Sequence, residues 1–222
     1  MTAEPGAAVT LRVDGLSLGP IGTNCYVVRA PDADDAVVVD PSGEAADLRL
    51  RLAGLGVRCA AIFVTHGHWD HLVGVGDLAA GTGAPVYMPA GERELLEEPG
   101  RFTPPGLTLR PHTPEVALEG GEEISVAGIS FDVVSVPGHS PAHLAYYADG
   151  HLFSGDVLFH GSVGRTDLPG ADWETLLASI RTLVDRFPAE TVVHPGHGPE
   201  TTLAAELARN PFLAELRAET AG

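Results

Sequence analysis

The sequence predicts an α+β chain in which a sheet scaffold presents polar turns at the ends of its strands. Three observations carry this. The apolar run Ala60-Ala61-Ile62-Phe63-Val64 reads as a buried strand and opens directly into Thr65-His66-Gly67-His68-Trp69-Asp70-His71. Three later strand-like runs, closing near Val136, Ser154 and Val193, each lead into a Gly or Pro turn that carries a His or Asp. Stretches with helical periodicity lie between these runs and after them.

Taken in order, 9 to 18, 25 to 28 and 36 to 40 read as strands. Residues 45 to 55 read as a helix with Leu48, Leu52 and Leu55 on one face. The segment 85 to 114 is rich in Pro and Gly, with one short helix expected at 92 to 98. Its length and its place beside the histidine motif make it a candidate lid or substrate loop. Strands are expected at 123 to 126, 129 to 136, 143 to 147 and 151 to 154. Asp172 is the expected cap of a helix running to about Phe187 and Pro188. A last helix is expected from Thr201 to about Arg209, followed by about a dozen residues.

Composition fits one globular unit spanning 1–222, with 44% apolar and 19% charged residues. Cys25 and Cys59 form no CxxC pair and read as reduced core residues. Met1 to Thr10 shows no basic region or long apolar stretch, and no segment has the length and apolarity of a membrane span. Cytoplasm is the expectation. The net charge is −17, from 13 basic residues, all arginine, against 30 acidic ones. A nucleic-acid partner needs basic surface to neutralise phosphates, so that class is excluded. Oligomeric state is not encoded in any of these features.

The chemistry concentrates in His66, His68, Asp70 and His71. Imidazole nitrogen and carboxylate oxygen are the donors that zinc, iron and manganese accept. Alternate residues of an extended chain point the same way, so His66 and His68 can grip one ion, and Asp70 and His71 can serve a second. His139 in Pro137-Gly138-His139, Asp156 in Gly155-Asp156 and His197 in Pro195-Gly196-His197-Gly198-Pro199 add one group each from three further strand ends. A site assembled from several strand ends is held rigidly by the sheet behind it.

With Gly22-Thr23-Asn24-Cys25-Tyr26, these motifs resemble the metallo-β-lactamase superfamily, and within it the short glyoxalase II-type hydrolases. The resemblance runs through nearly the whole chain. It implies a four-layer αββα sandwich, with the metals at one edge of the two sheets and an internal pseudo-duplication. It implies two divalent ions, zinc first, with iron or manganese as alternatives. His66, His68 and His139 would hold one ion, Asp70, His71 and His197 the other, and Asp156 would bridge them.

A water shared by two divalent ions has its pKa lowered toward neutrality, and a carbonyl beside them is polarised. A thiolate, with a parent pKa of about 8.5, leaves without a proton donor, whereas an amine needs one. The expected reaction is therefore hydrolysis of a small-molecule thioester, and the resemblance implies an S-2-hydroxyacyl thiol of the lactoylglutathione kind. Asp70 and Asp156 are the expected catalytic carboxylates, Asp70 also orienting the nucleophile. A mononuclear iron persulfide dioxygenase and a lactone or other ester hydrolase are the alternatives. A β-lactamase fits less well, because its bridging position is usually Cys or His. A non-catalytic metal-binding module is disfavoured by seven competent ligand positions.

Substrate contacts are less defined. Gly164-Arg165-Thr166-Asp167 is similar to a segment of the glyoxalase II-type and persulfide dioxygenase branches. Arg165 either binds a substrate carboxylate through its planar fork or pairs with Asp167. His160 and His143 are further candidates for substrate contact, His143 also for a hydrogen bond to a ligand. Trp69 either walls the pocket or packs on the sandwich; His194 is a lesser candidate, and His112 and His151 read as surface residues. The chain departs from two-domain glyoxalase II enzymes in having no lysine, and Arg165 stands near the place of their Lys and Tyr after the bridging Asp.

Overall fold

The computed structural model describes residues 11–220. The first half of the chain forms β1 (Arg12–Leu18), β2 (Thr23–Arg29), β3 (Asp35–Val39), α1 (Ala45–Leu55), β4 (Arg58–Phe63), α2 (Trp69–Leu72), α3 (Val75–Thr82), β5 (Val86–Pro89), α4 (Glu94–Glu97) and β6 (Val116–Leu118). Its six strands lie side by side in chain order as one sheet. β1, β2 and β3 pair antiparallel, and β3 to β6 pair parallel through the helical crossovers.

The second half forms β7 (Glu123–Val126), β8 (Ile129–Ser135), β9 (Leu144–Ala148), β10 (His151–Gly155), β11 (Leu158–Phe159), β12 (Ser162–Val163), α5 (Trp173–Arg186), β13 (Val192–Pro195), β14 (Thr201–Thr202), α6 (Leu203–Arg209) and α7 (Ala214–Thr220). Its sheet runs β14-β13-β10-β9-β8-β7, and β11-β12 is a separate hairpin.

Period-two alternation sorts the strand residues into layers. Tyr26, Val28, Val37, Val39, Ala61 and Phe63 from the first sheet meet Phe131, Val133, Leu144, Tyr146 and Phe153 from the second, forming the central core. The alternate residues Cys25, Val27, Ala36, Val38 and Ile62 face outward against Leu48 and Leu52 of α1 and Val75 and Leu78 of α3. On the far side, Val134, Ala145, Leu152 and Val193 pack against Leu176, Ile180 and Leu183 of α5, with Leu203 and Leu216. Helices, sheet, sheet, helices: the αββα sandwich is present.

Most expected elements lie within a residue or two of their places. Asp172 caps α5, accepting from the Thr175 N–H at 2.8 Å and its hydroxyl at 2.6 Å. Val9 and Thr10 of the first expected strand lie outside the described residues. Three expectations need correction. Residues 85 to 114 are not a free lid: β5 is a parallel strand of the first sheet, and Leu96 is fully buried. The short helix expected at 92 to 98 is present but shorter, as α4, between a 3-10 turn at Ala90–Glu92 and a second at Pro99–Arg101, where Pro99 cannot continue it. The chain also does not run free after Arg209. Asn210 caps a turn by accepting from the Phe212 N–H at 3.0 Å, and α7 follows. Among the described residues, no helix is long and apolar enough to cross a membrane.

The sheets are locked most firmly where the strand ends meet. Phe63 stacks on Tyr146 at 4.7 Å and meets Phe131 edge-on at 5.0 Å. The Tyr146 hydroxyl donates across the sandwich to the Val64 carbonyl at 2.8 Å. Phe63→Ala is expected to cost about 3–5 kcal/mol in chemical denaturation, since it empties a site filled from both sheets. Leu50→Ala, at a position 72% exposed, is expected to cost almost nothing.

Candidate metal centre

All seven side chains expected from the sequence converge at one rim of the sandwich. β4, β8, β10 and β13 end there, and α2 begins there. The His66 Nε2–His68 Nδ1 distance is 3.1 Å and the His139 Nε2–His68 Nδ1 distance is 2.9 Å. Three ligands on a tetrahedral ion with bonds of about 2.0–2.1 Å are separated by about 3.3 Å. The Nε2 of His71 lies 3.4 Å from Asp70 Oδ2, and the Nε2 of His197 lies 3.4 Å from the same oxygen. These make two triads, each with ligand atoms close enough to share an ion.

Asp156 stands between them. Its Oδ1 is 3.3 Å from His71 Nε2, and its Oδ2 is 3.4 Å from His139 Nε2 and 3.5 Å from His197 Nε2. His71 Nε2 and Asp156 Oδ1 are buried and have no hydrogen-bond partner. An orphaned donor set of this kind is what a divalent ion satisfies. Gly196 passes so close that a Cβ there would lie 2.1 Å from Asp156 Oδ1 and 2.7 Å from the His71 ring. Only glycine leaves that space open.

The remaining ring nitrogens show how each imidazole is aimed. His139 Nδ1 donates to the Arg165 carbonyl at 2.8 Å. His71 Nδ1 donates to Asp40 Oδ2 at 2.9 Å. His66 Nδ1 lies 3.0 Å from the Thr65 hydroxyl, which donates onward to Asp40 Oδ2 at 2.8 Å. Each of these bonds turns Nδ1 away from the rim and leaves Nε2 facing it, the nitrogen that can serve as a metal ligand.

The electrostatics divide the site. Burial, reinforced by neighbouring imidazoles, pushes His66 well below the usual histidine range and His68 down to about 4. Both of these rings are held neutral, as metal ligands must be. Burial opposes charge on His71, but Asp156 and Asp40 outweigh it and raise its pKa well above normal. Hydrogen bonds to Asp156 and Asp70 lift His197 to about 9. Burial also works against the Asp156 carboxylate, and His71 and His197 outweigh it to hold its pKa well below the carboxylate range. The carboxylates of Asp40, Asp70 and Asp156 thus make this end of the rim favour positive charge, which a divalent ion supplies.

Four further residues hold this geometry; Thr23 and Asn24 belong to the motif Gly22 to Tyr26, whereas Asp40 and Glu92 carry no mark in the sequence. Asp40, itself at φ 47°, receives the Thr65 N–H at 2.8 Å as well as the two bonds above. Glu92, buried in the supposed lid, accepts from the Gly67 N–H at 2.5 Å and the Ala142 N–H at 2.9 Å, tying both loops of the first triad together. The Thr23 hydroxyl donates to Asp70 Oδ2 at 2.8 Å. Asn24 donates from its amide to the carbonyls of Pro195 and Gly198 at 2.9 and 2.8 Å, fixing the turn that carries His197.

The less defined candidates separate clearly. His143 does not reach the cleft: it is fully buried, stacked on His66 at 4.5 Å, and accepts from the Asp156 N–H at 3.1 Å. His160 is exposed at the tip of the β11-β12 hairpin and is not among the residues lining the cleft. Substrate contact is therefore corrected for both. Arg165 lines the cleft, with Nε 2.6 Å from Asp167 Oδ1 and a second nitrogen 2.7 Å from Oδ2. Trp69 both walls the cleft and packs on the outer core. His194 is buried away from the rim, between Glu200 at 3.0 Å and His151 at 2.9 Å. His112 and His151 are partly buried rather than free on the surface, His112 pairing with Glu115.

Fold and site together define a metal-dependent hydrolase. The family model described as the metallo-beta-lactamase superfamily matches residues 18–197, and the chain belongs to that superfamily. It is 34% identical over 203 residues to the probable metallo-hydrolase YqgX of Bacillus subtilis, covering 89% of this chain and 95% of that one. It is 33% identical to the hydroxyacylglutathione hydrolase GloC of Haemophilus influenzae, covering 86% and 92%. Among solved structures, the BLEG-1 B3 metallo-beta-lactamase superposes with a TM-score of 0.85 at 38% identity, covering 91% of this chain and all of that one. TTHA1623 in a di-iron-bound form gives 0.72 at 39%, covering 90% and 100%. ETHE1 from Myxococcus xanthus gives 0.74 at 27%, covering 92% and 85%.

Asp40→Asn is expected to lose about 1–3 kcal/mol in urea denaturation, because one amide must turn an N–H toward a buried donor. An unchanged unfolding midpoint would show that Asp40 does not carry this network.

Proposed function

We propose that the protein is a binuclear metallohydrolase that cleaves thioesters of the S-2-hydroxyacyl type. The observation that carries the reading is the pair of ligand triads with the Asp156 carboxylate between them. His66, His68 and His139 hold one ion, Asp70, His71 and His197 the other, and Asp156 spans both. The di-iron form of a 39% identical protein supports two ions on this fold, and the hydroxyacylglutathione hydrolase name of a relative supports the substrate class.

Two divalent ions bound there supply a nucleophilic water at neutral pH and a polarised acyl carbonyl. The chain's own residues do the rest. Thr23 fixes Asp70 Oδ2, which would help hold the second ion and orient the nucleophile that the ions supply. Asp40 and the Arg165 carbonyl hold the ligand rings, and His143, donated to by the Asp156 N–H, backs His66, so that no reorganisation is needed at the moment of reaction. The acids beside the cleft are engaged as acceptors: Glu92 by two backbone N–H groups, Glu94 by Arg101. A leaving group that needs no proton suits such a cleft, and a thiolate is one.

The reading is tested by metal content per chain with S-lactoylglutathione hydrolysis. Two ions with turnover is the expected result. His66→Ala and His197→Ala are each expected to lower bound metal toward one ion and to cut kcat severely. One iron, no hydrolysis and oxygen uptake on a persulfide would favour the dioxygenase, to which the segment Gly164 to Asp167 is similar. Hydrolysis of a β-lactam in preference to any thioester would assign the chemistry named for BLEG-1.

The pH dependence has a definite sign. His197 must lose its proton to bind an ion, and its pKa stands at about 9. His71, raised as well, must lose a second proton for the same ion, so apparent metal affinity is expected to rise with pH through the neutral range, by up to about a hundredfold per pH unit. Competition titrations across pH check this, and a flat profile would contradict it.

A further inference from the structure

We infer that the cleft takes a thioester that is neutral on its thiol side and apolar along its acyl body; this rests on the thioesterase reading. The cleft beside the triads has a volume of about 960 Å³ and is walled by Ile21, Trp69, Leu95, Phe102, Phe159 and Leu168. Ile21 is 56% exposed and Phe102 43% exposed. Single exposed apolar side chains are ordinary on a protein surface. Here, among the described residues, two of the four large exposed ones line the same cleft. A ligand lying between them covers both.

Charge points the same way. Among the described residues, Arg165 is the one guanidinium lining the cleft, and its fork is closed on Asp167. Glu94 at the rim is bound by Arg101, which also pairs with Glu98 at 3.1 Å. Glu92 is buried and satisfied by two backbone donors. A peptide thiol with two carboxylates would compete with Asp167 for Arg165 and approach a chain of net charge −17. An apolar body has no such obstacle and gains from leaving water.

The test is kcat/KM of the metal-loaded full chain on N-acetylcysteamine thioesters from lactoyl to 2-hydroxyoctanoyl, against S-lactoylglutathione. The expected result is a rise of about fourfold per added methylene until the cleft is filled. Ile21→Ser and Phe102→Ser are each expected to lower kcat/KM for the longest ester about tenfold, mainly through KM. A flat series, or S-lactoylglutathione as the best substrate, would overturn the inference and leave the thioesterase reading standing. If no thioester is turned over, the reading itself fails, and calorimetry with the matching thioethers decides the inference. Affinity that tightens with chain length upholds an apolar cleft, and affinity independent of length overturns it.

Discussion

His71 Nε2 and Asp156 Oδ1 face each other 3.3 Å apart, both buried and neither hydrogen-bonded. Burying such groups is costly unless something satisfies them. Much of the architecture at this rim exists to hold them there. Two sheets must end at the same height so that His66, His139, Asp156 and His197 leave four different strands toward one point. The bonds that cross between the sheets cluster at that end: Tyr146 to Val64, Tyr26 to Pro195, and Asn24 to the turn carrying His197.

The rigidity has a second layer. Asp40 gathers His71, Thr65 and, through Thr65, His66, so one carboxylate sets rings belonging to both triads. Glu92 ties the loop between His66 and His68 to the loop after His139. His143 carries the load differently, stacked under His66 while accepting from the Asp156 backbone. Each acts by removing an alternative position for a ligand, which is how a site on loops attains the precision of one on strands.

The ligands were legible because strand-then-turn punctuation and donor type coincide in short segments. The α1 bounds and the capping Asp172 were legible from helical spacing and cap chemistry. Asp40 and Glu92 were not, because their partners lie 25 to 50 residues away in sequence and each looks like an ordinary carboxylate. α3 was hidden by Gly76, Gly81 and Thr82, poor helix formers kept helical by Val75 and Leu78 packing against the first sheet. β5 was hidden inside a Pro- and Gly-rich stretch, since a four-residue parallel strand shows no alternation. The turn that leads into α7 does carry a signal, Pro211 directly after the capping Asn210. His160 and His143 misled because residue type alone does not distinguish a hairpin tip or a buried support from a cleft wall.

The central claim, two ions flanking Asp156, is tested most directly by anomalous diffraction from crystals of the zinc-loaded protein. The account predicts two peaks about 3.5–4 Å apart, one against His66, His68 and His139 and one against Asp70, His71 and His197, with Asp156 contacting both. A single peak at full loading, or a second peak away from Asp70 and His197, would contradict it.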